Sequence, residues 1–70
     1  MEEFTFEAAA TLLKKHRKTT GLSQKDYAKK AGVPLRTYSN MERAIKTDIL
    51  SISKALKYAG YYVSIISKGL

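Results

Sequence analysis

Arg36 and Asn40 stand four residues apart, with Thr37 between them. On a helix, that spacing puts the two side chains on one face, with Thr37 beside them. A guanidinium takes guanine O6 and N7 together, and a side-chain amide takes adenine N6 and N7. The implied chemistry is hydrogen bonding to the edges of paired bases. The same residue types also make an ordinary solvated helix face, so spacing alone leaves both readings open. Catalytic chemistry is not expected. There is no nucleophile beside a base, no carboxylate pair at useful spacing and no phosphate-cradling glycine loop. His16 is the single histidine and cysteine is absent, so neither a histidine nor a thiolate metal site is expected, and no cofactor.

The 70 residues carry a formal charge of +7. Residues 1–13 are acidic through Glu2, Glu3 and Glu7, while residues 14–46 hold ten Lys or Arg against Asp26 and Glu42. A basic middle between less basic ends points to a polyanion, although many small proteins are basic merely for solubility. Lys25, Arg43 and Lys46 are candidate phosphate contacts. A chain this short is expected to form one domain over residues 1–70. It lies near the limit for a self-sufficient core, and with no disulfide or metal the expected support is a second copy. The 44% hydrophobic content argues against disorder. No apolar run approaches the ~20 residues of a membrane span, so no membrane partner is expected. The acidic start Met1-Glu2-Glu3 is unlike a signal peptide, and a cytoplasmic location is expected.

Four helices must position these side chains. The first is expected from Thr5 to about Lys18, with Phe6, Ala9, Ala10 and Leu13 as its apolar stripe, Thr5 as cap and Gly21 as terminator. The second runs from Ser23, an N-cap with Asp26 three residues on, to Ala31 and Gly32. Leu22 and Tyr27 are placed for a hydrophobic staple. The third follows Pro34, from Leu35 to about Arg43; it buries Tyr38 and Met41 and exposes Arg36, Thr37, Ser39 and Asn40. The fourth starts near Thr47 or Asp48, carries Ile49, Ile52, Leu56 and Ala59, and stops at Gly60. Tyr61–Ser67 is rich in aromatic and β-branched residues and predicts a strand. Helices two and three, joined by a short glycine-containing turn, form a helix-turn-helix over residues 23–43. Its second helix presents a free face to a major groove.

The stretch Gly21-Leu22-Ser23-Gln24-Lys25-Asp26-Tyr27-Ala28-Lys29-Lys30-Ala31-Gly32-Val33-Pro34, followed by Tyr38-Ser39-Asn40-Met41-Glu42-Arg43, resembles the lambda-repressor-like (Xre/Cro) helix-turn-helix family. The likeness extends from about Leu12 to Leu56. Tyr27 stands where Leu is usual, Tyr38 where Ile is usual and Ala44 where Gly is usual. The last departure predicts a less tight turn after the third helix. The resemblance implies base contacts from Leu35, Arg36, Thr37 and Asn40; Leu35 stands where the family often has a base-reading polar residue and would meet a thymine methyl instead. It implies backbone contacts from Ser23, Gln24, Lys25, Ser39, Arg43 and Lys46, with Gln24 also bracing the recognition helix. It further implies that Arg17, an odd charge on an apolar stripe, bridges to Glu42; the other reading is two separate surface residues.

The fold class expected is therefore all-α: a four-helix lambda-repressor-like domain with a short C-terminal strand. Typical members add a fifth helix, so the strand is similar to the HipB-like subgroup of antitoxin repressors, whose terminal strand pairs with its two-fold mate. Tyr61, Tyr62, Val63, Ser64, Ile65 and Ile66 would then form the dimer contact. Pairing with Phe4–Phe6 or with a partner protein are the other outcomes for this edge. The function implied is a repressor of its own operon that binds a near-palindromic operator on double-stranded DNA as a homodimer. It would also be the antitoxin of a cognate toxin protein. The alternatives are a stand-alone or phage-type regulator, and a protein-interaction module using the strand edge.

Overall fold

In the computed structural model, residues 5–61 are described. They form four helices: α1 (Phe6–Thr20), α2 (Gln24–Ala31), α3 (Leu35–Glu42) and α4 (Ile49–Tyr58). Side chains cap three of the four starts. Thr5 Oγ1 accepts from the Ala8 N–H at 3.0 Å, Ser23 Oγ from Asp26 N–H at 3.1 Å and Asp48 Oδ2 from Ser51 N–H at 2.9 Å. These bonds satisfy amide groups that have no partner inside the helix. Asp48, not Thr47, is thus the cap of α4. α3 has no side-chain cap; Pro34 is the residue before its first turn, and its carbonyl accepts from Tyr38 N–H at 2.9 Å.

α1 runs two residues past the expected Lys18. The left-handed Gly21 closes it by donating its N–H to Arg17 O at 3.1 Å. Gly32 ends α2 at φ 81°, and the following Val33 N–H reaches back to Ala28 O at 3.0 Å. Together with the bond from Gly32 N–H to Lys29 O at 3.2 Å it makes a Schellman closure, which turns the chain within a few residues into α3. The same closure ends α3, with Ala44 N–H on Met41 O (3.1 Å) and Ile45 N–H on Asn40 O (2.9 Å). Here the left-handed position holds Ala44, at φ 59°. The less tight turn expected from this alanine does not occur: the two cap bonds hold the tight geometry, and Ala44 accommodates it. An L-residue in this region is strained by about 1–2 kcal/mol, while glycine is freer in the unfolded chain by about 0.4–1 kcal/mol. Ala44→Gly is therefore expected to stabilise the fold by up to about 1 kcal/mol, raising Tm by roughly 4–8 °C per kcal/mol in a domain of this size. A thermal melt followed by circular dichroism checks this. A lower Tm would mean that the turn carries no strain.

The core is a single cluster in which Leu13, Tyr27, Tyr38, Met41 and Ile52 are the largest fully buried side chains. Ala28 and Ala55 lie among them and are small where helices approach closely. Leu22 and Phe6 pack on the edge of this cluster. α3 packs against each of the other three helices. Ile49, expected on the inner stripe of α4, is instead 42% exposed, because it begins the helix at the rim of the domain. Tyr61 N–H closes the α4 end on Leu56 O at 2.8 Å, and the Tyr61 side chain is exposed. The rest of the expected strand, Tyr62 to Ser67, lies outside the described residues. No helix among the described residues is long and apolar enough to cross a membrane.

Candidate nucleic-acid interface

The interface is built around one carboxylate. Glu42, in the last turn of α3, is only 6% exposed. Arg17 of α1 donates to it twice, from Nε to Oε2 at 2.6 Å and from Nη2 to Oε1 at 3.2 Å. The Tyr38 hydroxyl, one turn earlier on α3, donates to Oε2. Gln24 Nε2, at the first position of α2, donates to Oε1 at 3.1 Å. Arg17 also donates from Nη1 to Leu22 O at 3.2 Å, which holds the α1–α2 connection. Three helices thus meet at a single side chain.

Burial works to raise the Glu42 carboxyl pKa, but the hydrogen bonds from Arg17, Tyr38 and Gln24 and the Arg17 charge outweigh it. The carboxyl is held below its ordinary value. The hydrogen bond to Glu42 raises the Arg17 pKa in turn, against a smaller opposing effect of burial. Burial, together with donation to Glu42, pushes the Tyr38 hydroxyl far above the ordinary tyrosine value. The node is therefore a carboxylate, a guanidinium and a neutral phenol at any ordinary pH.

The node sets the spacing between the start of α2 and the exposed face of α3. On that face Arg36 is exposed and Leu35 is 45% exposed. Thr37, Ser39 and Asn40, expected to be exposed, are half-buried, because α3 is packed on three sides and only a narrow strip is free. Ser23, Lys25, Arg43 and Lys46 are exposed. Ser23 spends its side-chain oxygen on the α2 cap, and Arg43 is the C-cap residue that follows α3. Gln24 is half-buried, with one amide N–H on Glu42 and a second for an outside acceptor. The brace expected of Gln24 thus runs through Glu42. Tyr62, Val63, Ser64, Ile65 and Ile66, expected as a dimer strand, lie outside the described residues.

The sequence places Tyr38 only in the core, although its i, i+4 spacing to Glu42 carries a signal for this site. A second network lies outside what the sequence leads one to expect. His16 Nδ1 and the Tyr27 hydroxyl share a hydrogen bond at 2.7 Å, and Tyr58 meets both rings edge-on. Burial above all, with the Glu42 carboxylate adding to it, pushes the Tyr27 hydroxyl up to about 12. His16 is thus a half-buried boundary residue with a structural partner. Among the described residues no group of acidic or histidine side chains is placed to hold a metal ion.

Residues 13–62, more than two thirds of the chain, match the family model described as helix-turn-helix. The chain belongs to the Xre/lambda-repressor-like helix-turn-helix family. As a member of this helix-turn-helix family it is a DNA-binding regulator, with α2 and α3 as the two helices of the motif. No curated protein and no solved structure matches the helix-turn-helix chain.

Proposed function

We propose that the chain is a sequence-specific transcriptional repressor that binds double-stranded DNA as a homodimer. The observation that supports this most is the Glu42 node. It holds Gln24 at the start of α2 in fixed relation to Arg36 on the free face of α3. In this reading Arg36 and Asn40 read base edges in the major groove, with Leu35 and Thr37 beside them. Ser23, Gln24, Lys25, Ser39, Arg43 and Lys46 hold the sugar-phosphate backbone. Repression follows from occupancy of the operator. No catalytic step or cofactor is involved, and the protein works in the cytoplasm on nucleoid DNA.

Two-fold pairing through Tyr61–Ile66 would supply the symmetry of a near-palindromic operator, with half-sites about one helical turn apart. The operon repressed is its own, and the second gene product is a toxin that this chain neutralises, in the manner of a HipBA-like pair. The β-prone segment after α4 supports that assignment.

Selection of binding sites from a random duplex pool tests the DNA reading. The expected product is an inverted repeat bound by two copies, measured by light scattering of the complex. Enrichment of no sequence would overturn the repressor reading. A single half-site bound by one copy would overturn the dimer. Co-purification with the neighbouring gene product tests the antitoxin role, and failure to capture any neighbour-encoded protein would remove it.

A further inference from the structure

An open groove of about 570 Å³ lies between α1 and the end of α3, outside the base-reading strip. Lys14, Lys15 and Lys18 line it from α1, and Arg43 lines it from the C-cap of α3. Lys14 and Lys18 are one turn apart, a rise of about 6 Å, and so point along the same side. Against these four cations stand two carboxylates. Glu42 is already held by Arg17, and Glu7 sits at the opposite end of α1's lysine row. The groove is thus cationic along most of its length and acidic at one end. Ala10 and Ala44 line it with side chains too small to block it.

We infer that this groove holds the sugar-phosphate backbone of DNA flanking the half-site, with Lys14 and Lys18 as phosphate contacts. The inference rests on the DNA-binding reading above and deepens it. Two observations select a nucleic-acid backbone as the occupant. The charge is complementary to a row of phosphates. The groove is also continuous with the recognition helix, because Arg43, the C-cap residue directly after α3, lines the groove. A strand leaving the major groove past Arg43 would run on along Lys18 and Lys14 and stop short of Glu7. The bound site is therefore longer than the base pairs that α3 reads.

The test compares the full-length protein with Lys14→Gln/Lys18→Gln on the selected operator, with and without about five flanking base pairs. Both lysines are exposed, so the variant folds, which a thermal melt verifies. Loss of two phosphate contacts lowers the slope of log K against log salt by about 1.8 per half-site. That corresponds to about a tenfold smaller loss of affinity between 50 and 200 mM salt. Base preference stays unchanged, and the advantage of the flanked duplex is lost.

An unchanged slope and an unchanged flank advantage would overturn the groove assignment while leaving the repressor reading intact. An equal loss in Lys29→Gln/Lys57→Gln, which removes the same charge elsewhere, would also overturn it. So would an unchanged slope accompanied by binding of a poly-glutamate peptide to the parent protein but not to the groove variant. Failure of the parent protein to select any sequence would instead bring down the repressor reading, and the groove assignment with it.

Discussion

Glu42→Ala is expected to be the most destabilising single substitution at the interface, by about 3–5 kcal/mol. The change removes the acceptor for Arg17, Tyr38 and Gln24 at once. It strands a guanidinium and a fully buried phenol, and leaving buried donors without partners costs more than the net value of the bonds themselves. Small domains have total stabilities near about 5 kcal/mol, so much of the population would be unfolded at 25 °C. Urea denaturation followed by circular dichroism measures this. A midpoint equal to that of the parent protein would sink the claim that the node holds the motif together. Arg17→Met should also destabilise, because it leaves the Glu42 carboxylate buried without its cation.

The same carboxylate makes stability depend on pH. Its folded-state pKa lies below the ordinary 4.5, so near that pH the unfolded chain takes up the proton more readily. Stability from this group is fully present above the ordinary carboxylate range and is lost as pH falls through the depressed folded value. Acid titration of the parent protein should show this loss. Glu42→Gln, less stable at neutral pH, should show a shallower dependence below pH 4.5.

Arg36→Ala and Asn40→Ala are expected to have the largest effects on DNA binding, about 1–3 kcal/mol each, confined to one base pair apiece. Arg36 is exposed, so its truncation leaves the fold intact. Asn40 serves the α3 cap through its backbone carbonyl, which accepts from Ile45 N–H, so shortening the side chain spares that bond. Binding to a panel of single-base operator variants should show preference relaxed at one position, with an unchanged salt slope. Arg43→Ala should do the reverse: affinity falls about uniformly across sequences and the slope drops by about 1. If Arg36→Ala weakened every sequence equally and lowered the slope, Arg36 would be a phosphate contact and the reading face would be misassigned.

What was legible in the sequence was local. Ser23 with Asp26, Thr5 and Asp48 mark helix starts because a short side-chain oxygen bonds an amide two or three residues on. Gly21, Gly32 and Gly60 mark helix ends because each adopts positive φ. The 3–4 spacing of Ala9 and Leu13, of Tyr38 and Met41, and of Ile52 and Leu56 identifies the faces that end up buried. The ordered set of motif residues carries the family, and residues 13–62 match it.

The convergence of side chains was decided by the tertiary structure. The Arg17–Glu42 bridge follows from the family resemblance, but only the packing of three helices brings Tyr38 and Gln24 onto the same carboxylate. His16 and Tyr27 are 11 residues apart and meet for the same reason. Burial of half of Thr37, Ser39 and Asn40 depends on how closely the neighbouring helices approach α3, which periodicity does not encode. Ala44 is the sharpest case. Its intrinsic preference is for the right-handed region, yet the bonds from Ala44 and Ile45 back into α3 hold it left-handed. Local preferences of about 1 kcal/mol determine where helices start and stop; where several contacts act on one residue at once, the assembled structure overrides them.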